Sequence, residues 1–217
     1  LQLKANGQKN LKQNKINKKF VYLISPNKIS NINFYDDLSL VLSSKKINFF
    51  QLRLKKETNS NKIVIGKKIK KICNKYKVKF LINDDPLLAK KLNADGCHLG
   101  QKDMDLIKAR KILKNKIIGV TCHNSINLAK KAIKAGADYL AFGAFYVTKT
   151  KIVKYRASLT VLKSIKKITS VPIVAIGGIK LNNYKKLLLN KANFLAISSY
   201  IWNNKKYKPL EAIKKLK

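Results

Sequence analysis

Five consecutive residues, Gln51-Leu52-Arg53-Leu54-Lys55, place an amide and two cations at alternate positions. On an extended strand side chains alternate between faces, so Gln51, Arg53 and Lys55 share one face and the two leucines take the other. Cations held on an inward face are costly unless an anion meets them. An oligophosphate would serve, because Arg offers a planar fork and Lys a point charge. The plainer alternative is a structural ion pair with an inward carboxylate. Carboxylates do follow: Asn83-Asp84 comes next, and Asp103 stands after Gly100-Gln101-Lys102. Hard oxygen ligands beside bound phosphate are the usual holders of Mg²⁺. Asp84, Asp85 and Asp103 also each stand where a helix would begin, and helix capping is the simpler role for any one of them taken singly.

Hydroxyls and glycines come later in the chain, at Thr148-Lys149-Thr150-Lys151, Gly177-Gly178 and Ser198-Ser199. Glycines let backbone N–H groups approach an anion, and a helix N-terminus favours its charge. Two histidines complete the inventory. His98 in CHLGQ reads as a hydrogen-bonded interior residue. His123 in GVTCHN, close to Thr121, could carry a proton near neutral pH or be structural. Neither has a partner at a spacing suited to zinc.

These residues need a scaffold, and the chain punctuates regularly enough to predict one. Apolar, β-branched runs occur at VYLIS (21–25), FFQLRL (49–54), KFLIN (79–83), GCHLG (96–100), KIIGVTC (116–122), YLAFGAF (139–145), PIVAIGG (172–178) and FLAISSYI (194–201). Lys-rich segments with helical apolar spacing lie between them, such as Ile65, Ile69 and Ile72. Strands alternating with helices indicate βαβ units and a parallel sheet. Eight units in a chain of 217 residues predict an α/β protein with a single (β/α)₈ TIM barrel over 20–217, preceded by a basic extension, 1–19. An open doubly wound sheet is the rival, but no GxGxxG follows the first strand. In a barrel the active site lies at the C-terminal strand ends, and the polar residues named above cluster there. Phosphate binding after strands seven and eight is a recurring feature of that architecture, which strengthens the reading of Gly177-Gly178 and Ser199.

Composition constrains the partners. Lys and Arg number 48 against 10 Asp and Glu, a net charge of +38. Nucleic acid or an acidic surface would explain it. The lysines, however, are spread along the chain and rarely interleaved with aromatics, which argues for drift toward AT-rich codons over a base-stacking platform. The resulting field still draws in anionic substrates. No run of 18 apolar residues occurs, which excludes a membrane-spanning helix. Cys73, Cys97 and Cys122 are odd in number and form no CxxC pair, so a reducing cytoplasm is expected.

Taken in order, QLRLK, IND, GCHLGQKD, GVTCHN, ADYLAFGAFYVTKTK, PIVAIGG and ISS resemble the thiamine-phosphate synthase family. The resemblance runs from about residue 20 onward, and so many motifs in one order form a specific signal. It implies coupling of a pyrimidine methyl pyrophosphate to a thiazole phosphate with loss of pyrophosphate, through a pyrimidine-stabilised carbocation captured by the thiazole nitrogen. It further implies that Gln51, Arg53 and Lys55 bind the pyrimidine pyrophosphate with Asn83, Thr121 and Lys151. Asp84 and Asp103 would hold Mg²⁺, while Thr148, Thr150, Gly178, Ser198 and Ser199 would bind the thiazole phosphate. No residue is assigned as an acid or base. Departures from the family pattern are Gly143-Ala144 where Gly-Pro is usual, Thr121 for serine, Ser198 for an aliphatic residue, and an additional Arg156.

Three other readings stand beside this one. A thiazole tautomerase on the same barrel would use His123 as a base and need no pyrophosphate site. A basic nucleic-acid-binding protein would owe its function to the +38 charge. A catalytically inactive scaffold would not need the full motif set. Barrels often form homo-oligomers, although the sequence names no interface.

Overall fold

The eight apolar runs become eight short strands: β1 (Val21–Ile24), β2 (Ile47–Leu52), β3 (Lys79–Asn83), β4 (Gly96–Leu99), β5 (Ile117–His123), β6 (Tyr139–Gly143), β7 (Ile173–Ile176) and β8 (Phe194–Ile197). Each pairs in parallel with its neighbours, and β8 closes on β1 to complete a (β/α)₈ barrel. The structure is a computed structural model that describes residues 19–29, 32–148 and 154–217. Thr150 and Lys151 lie outside the described residues, as does the predicted basic extension apart from Lys19.

Alternation along the strands separates two apolar layers. Tyr22, Ile24, Leu81, Tyr139, Ala141, Val174 and Ala196 fill the barrel, with Phe49, Ile117 and Phe194 packed against them. The intervening residues, among them Leu23, Phe50, Leu52 and Ile82, face outward into a larger core shared with the helices. Gly119 is required by this filling: a Cβ there would lie 1.8 Å from a ring carbon of Tyr139.

The helices between strands are α1 (Phe34–Ser43), α2 (Asn59–Lys75), α3 (Pro86–Lys91), α4 (Leu106–Leu113), α5 (Ile126–Lys134), α6 (Leu159–Lys166) and α7 (Tyr184–Leu189), followed by α8 (Ser199–Trp202) and α9 (Pro209–Lys215). Side-chain caps fix several starts: Thr58 for α2, Asp85 for α3, Asp105 for α4 and Ser125 for α5. Of the three aspartates that sequence could read as caps, only Asp85 caps a helix, and Pro86 follows it at the first helical turn.

Most strands end a residue or more away from the sequence expectation, and two of these ends bear on the site. β2 stops at Leu52, so Arg53 and Lys55 continue beyond the ladder, while Leu54 remains buried. β8 stops at Ile197, so Ser198 and Ser199 are not strand residues: Ser199 opens α8, and Ser198 precedes it. The chain turns there because better partners exist than another ladder position. Ser198 Oγ donates to the Ser25 carbonyl at 3.0 Å, and the Trp202 indole N–H donates to the Ile24 carbonyl at 2.7 Å. These bonds fasten α8 over the end of β1.

Candidate active site

The ends of β2, β3 and β4 bring cations and carboxylates together. Lys55 Nζ lies 2.8 Å from Asp84 Oδ2. Asp84 has φ of 65° and shares a side-chain hydrogen bond with Asp103. Asp103 Oδ2 accepts the Gly100 N–H at 2.6 Å, which folds the GQKD turn back on the barrel mouth. Neither carboxylate caps a helix. Burial works to raise the Asp84 carboxyl, but the Lys55 ammonium and the Asp103 hydrogen bond outweigh it and hold Asp84 below its ordinary value. Burial and the hydrogen bond to Asp84 push the Asp103 carboxyl up, against the Gly100 amide. The two carboxyls therefore titrate as a pair in which Asp84 is the more acidic member and Asp103 the less.

Arg53 and Gln51 flank this pair. The Arg53 guanidinium donates to Asn27 Oδ1 at 2.9 Å, and its backbone N–H donates to Ser25 Oγ at 2.9 Å. Burial works against its positive charge, and Asp84 only partly offsets that. Gln51 is 2% exposed, and its Nε2 has no hydrogen-bond partner among the described residues. An amide N–H₂ buried without an acceptor costs about 1–3 kcal/mol, so this position stores a cost that a ligand acceptor would relieve. Lys55, Asn83 and Asp84 also line a cavity of about 270 Å³ with Lys62 from α2. Sequence reasoning passed over Ser25, Asn27 and Lys62. Ser25-Pro26 at a predicted strand end was the available signal for the first, and nothing distinguished Lys62 from other helix lysines.

At the middle of the mouth, Thr121 joins a polar chain descending through the barrel. His98 Nε2 lies 2.8 Å from Thr121 Oγ1, and its Nδ1 lies 2.9 Å from the Tyr139 hydroxyl. The Tyr139 hydroxyl in turn meets that of Tyr22 at 2.8 Å. Burial pushes both phenols far above their ordinary values, so they remain neutral. His98 is thus the hydrogen-bonded interior residue its sequence context indicates. His123 ends a register shift in β5, has φ of 53°, and sets its ring against Tyr155 in a tilted pair with centroids 4.3 Å apart.

On the far side, the loop after β6 packs onto the glycine pair. Phe145 N–H donates to the Ile176 carbonyl and Tyr146 N–H to the Gly177 carbonyl, both at 3.1 Å. Gly178 has φ of 63°, and a Cβ on it would lie 2.3 Å from the Val147 carbonyl oxygen. The pair is therefore needed both for backbone conformation and for the close seating of the segment leading to Thr148. Thr148 is half-buried at the end of that segment. Ser198 spends its hydroxyl on Ser25, which leaves backbone groups and Ser199 at the start of α8. The peptide between Gly143 and Ala144, where the family pattern has Gly-Pro, is cis.

A family model described as thiamine monophosphate synthase matches residues 21–201. The chain belongs to the thiamine monophosphate synthase family. It is 92% identical over 207 residues to a thiamine-phosphate synthase of Pelagibacter ubique, covering 95% of this chain and all of the relative. A thiamine-phosphate synthase of Nitrosomonas eutropha is 36% identical over 184 residues, covering 84% of this chain and 86% of its own. Among solved structures, the thiamine phosphate pyrophosphorylase of Pyrococcus furiosus superposes with a TM-score of 0.80 at 28% identity, covering 92% of this chain and 94% of that one. A 3-hexulose-6-phosphate synthase, at 16% identity and a TM-score of 0.61 with 90% and 98% covered, shares the barrel alone. Like other members of the thiamine monophosphate synthase family, this chain is a transferase of thiamine biosynthesis that makes thiamine phosphate.

Proposed function

We propose that this chain couples hydroxymethylpyrimidine pyrophosphate to thiazole phosphate with Mg²⁺, and that the two halves of its barrel mouth divide the substrates between them. The observation that carries this reading is the Lys55–Asp84 ion pair at 2.8 Å, with Asp103 and Arg53 near enough to act on Asp84 or be acted on by it. Two carboxylates that act on each other this strongly favour either a shared proton or a cation. Oxygen donors at a phosphate-binding mouth suit Mg²⁺, which takes one or two carboxylates and completes its shell with water and phosphate. Asp84 and Asp103 would hold the ion, which when bound would neutralise charge on the departing pyrophosphate.

The protein's own groups do the remaining work. Arg53 and Lys55 bind the pyrophosphate oxygens and grip them more tightly as the C–O bond breaks and negative charge accumulates. The buried Gln51 amide donates to an acceptor on the pyrimidine substrate, with Asn83 and Thr121 as its neighbours on the ring and Lys151 as a further cation for the pyrophosphate. The backbone at Gly178, Ser198 and Ser199, with the hydroxyls of Thr148 and Thr150, holds the thiazole phosphate. Its ring nitrogen is thereby aligned with the pyrimidine methylene, and this alignment supplies much of the rate without an acid–base pair. Three buried thiols, their ionisation disfavoured by burial, fit a cytoplasmic setting.

Mixing the two substrates with purified protein and following pyrophosphate tests the scheme. Release requiring both substrates and Mg²⁺ is expected. Release from the pyrimidine substrate alone, or equal release with the metal chelated, would overturn it.

A further inference from the structure

Beneath Thr121, the buried polar chain has a direction. Tyr22 is 2% exposed, and its hydroxyl has one hydrogen-bond partner among the described residues, the Tyr139 hydroxyl at 2.8 Å. If Tyr22 accepted that bond, its own O–H would be buried without an acceptor. Tyr22 therefore donates. The Tyr139 O–H must then turn to its other neighbour, His98 Nδ1 at 2.9 Å, which has to offer a lone pair. A neutral imidazole with a bare Nδ1 carries its proton on Nε2. That N–H points at Thr121 Oγ1, 2.8 Å away. Thr121 consequently receives a hydrogen bond from below, and its own proton is directed away from His98. An imidazolium would break this order, since Tyr139 would then receive from two donors and have nowhere to place its own hydrogen.

We propose that Tyr139 and His98 are positioning residues for the coupling reaction: with Tyr22 they fix Thr121 as a hydrogen-bond donor to an acceptor atom of the bound substrate. The proposal rests on the coupling reading for its catalytic half. Its structural half, the direction of the chain, stands on the barrel interior alone. The arrangement costs no reorganisation during turnover, because the donors are aligned before substrate arrives. It also accounts for Gly119, whose missing side chain admits the Tyr139 ring that relays the order.

The direction can be read without any substrate. The chain has two histidines, so a long-range ¹H–¹⁵N correlation spectrum of the full-length protein at neutral pH, with His98→Gln to assign the signals, reports the His98 tautomer. A neutral ring protonated at Nε2 is expected. An Nδ1–H tautomer or an imidazolium would overturn the proposal. Turnover then tests the catalytic half. His98→Leu and Thr121→Val should each lower kcat about tenfold, the worth of one aligned hydrogen bond. His98→Gln should restore most of the rate lost in His98→Leu, because its amide can donate to Thr121 while its oxygen accepts from Tyr139. A purely structural His98 would give folded Gln and Leu variants of equal kcat, and that result would also overturn the proposal. Wild-type protein with the expected tautomer but no pyrophosphate release would instead sink the coupling reading, and with it the catalytic half alone.

Discussion

Replacing Asp103 with Asn separates the carboxylate pair's two roles, because the amide can reproduce the protonated acid. Its oxygen can accept the Gly100 N–H, as Oδ2 now does at 2.6 Å, while its N–H₂ donates to Asp84. What disappears is the charge Asp103 would carry when ionised. Two unit charges about 4 Å apart repel by about 4 kcal/mol at an effective dielectric of about 20. Solvent on the open side of Asp103 reduces this to about 1–2 kcal/mol. The folded-state value of Asp103 is raised by burial and by Asp84. Its contribution to stability is therefore full at low pH and lost as pH rises through that raised value. Asn suffers no such loss. In metal-free urea unfolding, the variant should match the wild type near pH 4, the ordinary range for Asp, and gain on it by about 1 kcal/mol at neutral pH. For a chain of this size that is about 2–4 °C in Tm. In the coupling assay, half-saturating Mg²⁺ should rise at least about tenfold, since the variant keeps one carboxylate ligand of two. A variant that lost ground to the wild type as pH rose would show that ionised Asp103 stabilises the turn. An unchanged Mg²⁺ requirement would remove Asp103 from the metal site.

Gln51→Leu should stabilise the protein by about 1–2 kcal/mol, because it removes an unpartnered buried amide, while lowering coupling activity more than about tenfold; urea unfolding beside pyrophosphate release checks both signs. Arg53→Ala should cost about 10²–10³-fold in kcat/KM with the circular dichroism spectrum unchanged, the loss expected for a charged contact that tightens in the transition state. Gly178→Ala forces a side chain into a φ of 63° and to within 2.3 Å of the Val147 carbonyl; initial-rate kinetics should show the KM for thiazole phosphate rising about tenfold and that for the pyrimidine substrate nearly unmoved. Fluorescence anisotropy with a labelled oligonucleotide should show no site-like binding at about 0.15 M ionic strength, despite the +38 charge.

The barrel was legible because strand period and helix period alternate cleanly, and the interior and exterior layers follow from that alternation alone. QLRLK announced its own geometry for the same reason: Leu52 and Leu54 are buried, and Gln51 turns inward. The end of β8 was not legible, since FLAISSYI holds no Gly, Pro or charge to mark a break, and the bonds from Ser198 and Trp202 to the end of β1 decide where the strand stops. Capping could not be assigned by type either. Asp84 and Asp85 are adjacent and chemically identical, yet one pairs with Lys55 and the other caps α3, a choice made by the φ of 65° at Asp84. The Tyr22–Tyr139–His98–Thr121 chain joins four strands and residues up to 117 positions apart, a juxtaposition that only barrel closure creates.

The mouth handles charge by two different means, and this division follows from where the strands place their polar groups. Beyond β2 to β4 the groups are ionisable side chains, Arg53, Lys55, Asp84 and Asp103, with Lys55 paired to Asp84 and the two acids shifted by their neighbours. Such a site suits an anion whose charge grows during reaction, because cations stand ready to meet it and carboxylates can take up a metal. Beyond β6 to β8 the described groups are hydroxyls and backbone at Thr148, Gly177, Gly178 and Ser199, locked by the packing of one loop on another. Fixed dipoles suit a phosphate whose charge stays constant throughout the proposed coupling, since that group must be held still and not pulled. Between the halves lies a hydrogen-bonded chain of two phenols, an imidazole and a hydroxyl, neutral throughout in the order we propose. In the proposed coupling, a charged residue at that level would either bind pyrophosphate in the wrong place or oppose positive charge developing on the pyrimidine. Neutral, oriented dipoles avoid both while still fixing the ring.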